Sequence, residues 1–242
     1  MIAEPIASPS FHEKSTQLLQ SLGNSALAGF VAGFIGLGLI TLRGVMRVLT
    51  ITSGEAGRLT ENGNVAGQFT AEGSLFLIGA GAFLGAFLGG LYATVRPVFS
   101  GRAGLIILIF APLVTRLLVL SPDNEDFAKF GPGWVAVVGF TLGVGIYLAL
   151  LELFTRLLET RWRIPKPFAL VLGTGAGLLV VLGVLSTGGA SPEALLFPAV
   201  VIALLIGLWG RYGWHVPLAR LVVIGVAVLG VIAWAQAAIE IA

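Results

Sequence analysis

"SLFLIGAGAFLGAFLGGLYATV", residues 74–95, runs from Ser74 to Val95 without a charged residue. About 20 apolar residues are what a helix needs to cross a hydrocarbon layer of about 30 Å. In lipid every backbone N–H and C=O must find a partner within the protein, and this run lacks the strict alternation of a barrel strand, so it reads as a transmembrane helix. Gly81, Gly85 and Gly89 recur four apart and share one face of that helix. Lipid tails are as apolar as leucine, so helices gain little by hiding apolar surface from them. Small residues instead let two backbones approach and collect dispersion contacts. Gly29 and Gly33 repeat the spacing in an earlier apolar run. The plain expectation is close packing within one bundle. The sharper one is that the three-glycine stripe docks another subunit.

The rest of the chain has the same character. Its 242 residues are 57% hydrophobic and 11% charged, against about 25% charged in an ordinary soluble domain, and the mean hydropathy is +0.98. Seven apolar segments stand out, at 25–48, 74–95, 103–120, 133–155, 167–186, 192–210 and 217–238, separated by polar or Gly/Pro-rich stretches. The fold class expected is an all-α polytopic transmembrane bundle of about seven spans. Residues 1–24 lack the basic start and apolar centre of a signal peptide and are expected as a short cytoplasmic tail, with 25–242 as a single transmembrane domain. Ser191-Pro192-Glu193 has the composition of a capped helix start.

Orientation follows from Lys and Arg. The tail and the even-numbered loops hold Lys14, Arg96, Arg102, Arg156, Arg161, Arg163, Lys166, Arg211 and Arg220. The opposite side holds Arg58 and Lys129, together with Arg43, Arg47 and Arg116 near span ends. Nine against five places the N-terminus in the cytoplasm and the C-terminus outside. Trp162, Trp209 and Trp214 then fall at the inner interface, Trp134 and Trp234 at the outer one, where the amphipathic indole is favoured.

Arg43, Arg47 and Arg116 run against that trend. Arg116 lies well inside the third span, where an arginine costs on the order of 2.5–3.5 kcal/mol and requires a partner or a route to the surface. The three either neutralise acidic outer loops or hold an anionic lipid headgroup. Pro112, four residues earlier, removes an amide donor and frees the Leu108 carbonyl, so a kink is expected. On the opposite side Glu152 with Arg156 and Glu159 with Arg163 are helical i, i+4 pairs, acid before base.

The stretch "SPDNEDFAKFGPG", 121–133, contains Pro122, Asp123, Asn124, Asp126 and Phe127, then Phe130, Gly131 and Pro132. It resembles a segment of uncharacterised bacterial polytopic membrane proteins of similar length. That resemblance, about a dozen residues long, implies a multi-pass protein of the bacterial cytoplasmic (inner) membrane and carries no activity with it.

Several chemistries are argued against. Cysteine is absent, which excludes disulfides and thiolate sites. His12 and His215 fall outside the spans, as do Lys14, Lys129 and Lys166, so neither a histidine-ligated haem nor a retinal Schiff base has its anchor. No metal-protease, nucleophile-elbow or P-loop pattern occurs. No basic run points to nucleic acid. The deep polar inventory, Thr94, Thr115, Thr141, Tyr147, Thr174 and Gln236, is thin for an ion path. No cofactor and no metal is expected. The function expected is a non-enzymatic accessory or structural subunit, or an oligomerising membrane scaffold, whose partners are lipids and other membrane subunits or further copies of itself. The alternative is a lipid or amphiphile binder using Arg43, Arg47 and Arg116.

Overall fold

The computed structural model describes residues 11–54, 56–58, 65, 70–97, 99, 102–120, 132–161, 164–169, 171–172, 175 and 216–242. They are all-helical. α1 (Phe11–Ala32) continues through a π-helical segment (Gly33–Val45) into α2 (Met46–Ser53). α3 (Ala71–Val95), α4 (Ala103–Leu118), α5 (Gly133–Thr160) and α6 (Val216–Ile241) follow. Among the described residues four helices are long and apolar enough to cross a membrane: Thr16–Ser53, Ala71–Val95, Gly133–Thr160 and Val223–Ile241. α4 is apolar but shorter. The expected spans 192–210 and most of 167–186, the cap at Ser191 and the acidic stretch 121–131 lie outside the described residues. The first helix begins at Phe11, within the stretch expected as a tail.

The long N-terminal helix is the hub. Ser25, Gly29 and Gly33 face α3 at the four-residue spacing of an α-helix, meeting Gly89, Gly85 and Gly81 in antiparallel order. A Cβ added at Gly33 would lie 2.7 Å from the Gly85 Cα, so only hydrogen fits. Beyond Gly33 the spacing changes to five. Gly33 and Gly38 both face α3, while Gly36 and Thr41 both face α5, against Tyr147 and Gly143. A π-helix bonds i to i+5, so residues five apart line up along its face. The Thr41 hydroxyl follows the same geometry and donates to the Gly36 carbonyl at 2.6 Å, where an α-helical threonine reaches back three or four residues. Wide turns thus give one helix two glycine faces.

α2 ends at Gly54 with φ +70, a left-handed cap that glycine adopts without steric cost. Thr70 caps α3 by accepting the Gly73 amide at 3.2 Å. α1, α3 and α5 meet at the end of the bundle where the chain begins, here the proximal end. α2, the start of α3 and the start of α5 lie at the distal end. There Leu49, Leu120 and Phe140 pack together with half-buried Val45 and Trp234.

α6 joins the bundle through one seam. Val223, Ala227, Gly230, Trp234 and Ala237 are buried or half-buried, alternating four and three apart, and Gly230 seats the Leu113 side chain of α4. Trp234 Nε1 donates to Thr141 Oγ1 of α5 at 3.1 Å. The opposite stripe is left bare: Leu221, Ile224, Val228, Ile232 and Ile239 are all exposed. Large apolar side chains also cover the outside of the other helices, with Phe76 on α3 and Leu108 on α4 each 72% exposed. Contiguous apolar surface of this kind demands lipid or a partner.

Candidate functional site

The concentrated polarity sits at the proximal end, where long side chains from the C-terminal turns of α3 and α5, two helices that both pack on the N-terminal helix, reach one another. Glu152 is its centre. An isolated carboxylate buried in an apolar bundle is costly, and this one, 8% exposed at the side chain, has four donors. Oε2 accepts from the Tyr92 hydroxyl and lies 3.0 Å from Arg96 Nε. Oε1 accepts from Arg156 Nε and from Arg96 Nη2 at 3.4 Å. Two donors on each oxygen fill its accepting capacity. Arg96 also reaches Glu159 Oε1 through Nη1 at 2.6 Å. Burial works against the Arg96 charge, but the hydrogen bond and carboxylate of Glu159, with Glu152, outweigh it and hold the guanidinium above its ordinary pKa.

Why these residues meet is local in each helix and not local between them. Tyr92 and Arg96 are one turn apart at the end of α3; Glu152, Arg156 and Glu159 are successive turns of α5. Both helices run the same way, so their last turns share a level. Glu152 with Arg156 is the helical pair expected from spacing. Glu159 pairs across to Arg96, while Arg163, its expected partner, lies outside the described residues. Sequence reading treated Arg96 as a loop anchor and passed over Tyr92. Their only local signal was a tyrosine and an arginine one turn apart at a helix end.

Outside this cluster, the hydroxyls of these helices bond mainly to backbone carbonyls. Thr94, Thr115 and Thr141 donate to the carbonyls of Leu91, Ala111 and Val137 at 2.7, 2.6 and 2.7 Å. Tyr147, fully buried, donates to the Gly85 carbonyl of α3 at 2.9 Å. Gln236 is exposed, and Thr174 lies outside the described residues. No group of three or more His, Asp or Glu among the described residues could hold a metal.

The arginines singled out from sequence stand at the distal end. Arg43 is half-buried in the π segment, and Arg47 is exposed in the first turn of α2. Arg116 Nη1 donates to the Leu120 carbonyl at 2.7 Å, satisfying a carbonyl just past the end of its own helix. α4 continues through Pro112 from Ala103 to Leu118 as one element. Gly29, Gly33, Gly81, Gly85 and Gly89 all lie in the seam between the N-terminal helix and α3. The stripe of α3 therefore faces inward.

At the proximal end the long helix and α5 also flank a cavity of about 400 Å³, lined by Gln20, Asn24, Leu158, Glu159, Ile164 and Lys166. No family model matches the chain, and no curated protein or solved structure matches it.

Proposed function

We propose that the protein is a non-enzymatic, seven-span component of the bacterial cytoplasmic membrane that works by association, as an accessory or structural subunit or as a homo-oligomer. The observation that carries this reading is the bare stripe of α6. Only 17% of the apolar window of α6 is buried, against 39–56% in the other three membrane-length helices. Its inner stripe has the alternating spacing of a packed seam, and on its outer stripe Leu221, Ile224, Val228 and Ile232 follow three or four apart. A buried ion cluster whose central carboxylate is filled by its own donors supports a structural part better than a carrier with an aqueous path.

The span count has support in the direction of the helices. The N-terminal helix, α4 and α6 run from proximal to distal; α3 and α5 run back. α5 ends and α6 begins at the proximal end, and a pair of crossings by the apolar sequence segments 167–186 and 192–210 would join them. Lys14, Arg96, Arg102, Arg156, Arg161 and Lys166 belong to the proximal side, which favours that side as cytoplasmic.

The absence of native cysteine makes the association directly testable. Single cysteines at Val228 and Ile232, on the bare stripe, are expected to crosslink between chains or to a copurifying protein in native membranes. A cysteine at Phe76 on α3 is expected not to. A strictly monomeric particle that copurifies with nothing and crosslinks at none of these positions overturns the proposal.

A second reading is favoured by the placement of Arg43, Arg47 and Arg116 at one end, where anionic headgroups lie. In it the three hold an anionic lipid. Changing all three to glutamine is expected to strip that lipid in native mass spectrometry, and unchanged retention removes this reading.

A further inference from the structure

The proximal cavity has a lining whose polar groups are only partly used. Asn24 is buried, 8% exposed, and its Oδ1 has no hydrogen-bond partner among the described residues. Arg96 occupies Oε1 of Glu159, while Oε2 of Glu159 has no partner among the described residues. Lys166 is exposed and forms no ion pair among the described residues. One cavity wall thus carries a half-used carboxylate and another an unneutralised ammonium, and the two do not pair with each other. Native structures rarely leave buried polar atoms unsatisfied without a bound water, ion or ligand to answer them. The volume of about 400 Å³ is at the small end of the range that holds small molecules, about 300–1,000 Å³.

We propose that this cavity binds a small zwitterion in which a primary ammonium stands a few bonds from a phosphate or carboxylate. The ammonium donates to Glu159 Oε2 and to the Asn24 carboxamide oxygen, which rotation about the soft χ2 of asparagine turns toward the cavity. The anion faces Lys166 and the Gln20 amide. Leu158 and Ile164 cover the methylenes between the two charges. A quaternary ammonium has no N–H to give and is selected against. Because the cavity lies where α3 and α5 end, beside a cluster of arginines and glutamates at headgroup level, the zwitterion comes either from a phosphatidylethanolamine headgroup or from a soluble compound of the same chemistry.

The test uses the full-length protein. Retention of phosphatidylethanolamine over phosphatidylcholine is measured by native mass spectrometry from an equimolar mixture. Binding of phosphoethanolamine is measured by calorimetry in nanodiscs of phosphatidylcholine alone. The expected result is about tenfold preference for the ethanolamine lipid, or saturable binding of the soluble probe, a factor of ten in affinity being about 1.4 kcal/mol. The first without displacement by the probe identifies a lipid headgroup; the second without lipid preference identifies a soluble zwitterion. Lys166→Gln and Asn24→Leu are each expected to weaken binding about tenfold, while Arg102→Gln, which removes an exposed cation at the same end, leaves it unchanged. Lys166 is exposed and forms no ion pair among the described residues, so its variant folds even if the asparagine variant does not. Equal retention of both lipids with no binding of the probe overturns the proposal, as does wild-type binding by Lys166→Gln.

Discussion

Glu152→Ala is expected to destabilise the bundle by about 3 kcal/mol, because Arg96 loses one of its two carboxylates, keeping only Glu159, and the buried Tyr92 hydroxyl loses its acceptor. Denaturation in mixed micelles, followed by tryptophan fluorescence, reads the loss directly. The neighbouring positions rank by exposure. Arg96, with its side chain 21% exposed, is expected to cost less than Glu152. Arg156, 55% exposed, is expected to cost under about 1 kcal/mol, since solvent screens its contribution. Converting the core of the cluster to apolar residues tests whether charge itself is needed. In Glu152→Leu with Arg96→Leu the two losses are expected to fall well short of additive, because neither partner is left buried alone. Strict additivity would mean that the two side chains do not act on each other.

Gly85→Ala is the second large expectation. The added methyl would lie 2.5 Å from the Gly33 Cα, and it would also meet the Gly29 carbonyl. Both are backbone atoms that cannot rotate away. Overpacking of this kind costs about 1–3 kcal/mol, and the upper end is expected here because the whole helix pair must separate. Gly79→Ala makes the same chemical change two turns earlier, where nothing lies within 4 Å. It is expected to be neutral, or to stabilise by up to about 1 kcal/mol through helix propensity. Opposite signs for one substitution in one helix separate packing from propensity. Equal effects would rule out the close seam between the N-terminal helix and α3.

Much of the helical layout was legible in the residues. The apolar run 74–95 became α3, Ala71–Val95, and the run 133–155 became α5, Gly133–Thr160; in both the observed helix extends past the apolar stretch into polar flanks, because hydrogen bonding continues after hydropathy falls. The Glu152–Arg156 pair was legible because one turn of helix fixes its geometry. The π segment was not. Gly33 and Gly38 are five apart, and a reading tuned to four-residue stripes attaches Gly33 to Gly29 and stops there. Nor could spacing show that Tyr92 and Arg96 close on Glu152, since the contact depends on where α3 and α5 each dock along the N-terminal helix. The proximal cavity was invisible for the same reason: Asn24 and Glu159 come together only when the first and fifth helices are packed.

Arg96, Arg156, Glu152 and Glu159 carry two positive and two negative charges in a single hydrogen-bonded knot. A transmembrane voltage acts on net charge with about 2.3 kcal/mol per elementary charge per 100 mV, and here the opposing forces cancel within a few ångströms. The knot is electrically mute, and the resting potential of the cell neither pulls it inward nor pushes it out. Removing one carboxylate, as in Glu152→Gln, would leave an unbalanced cation on α3 and α5 and make the tilt of those helices responsive to the field.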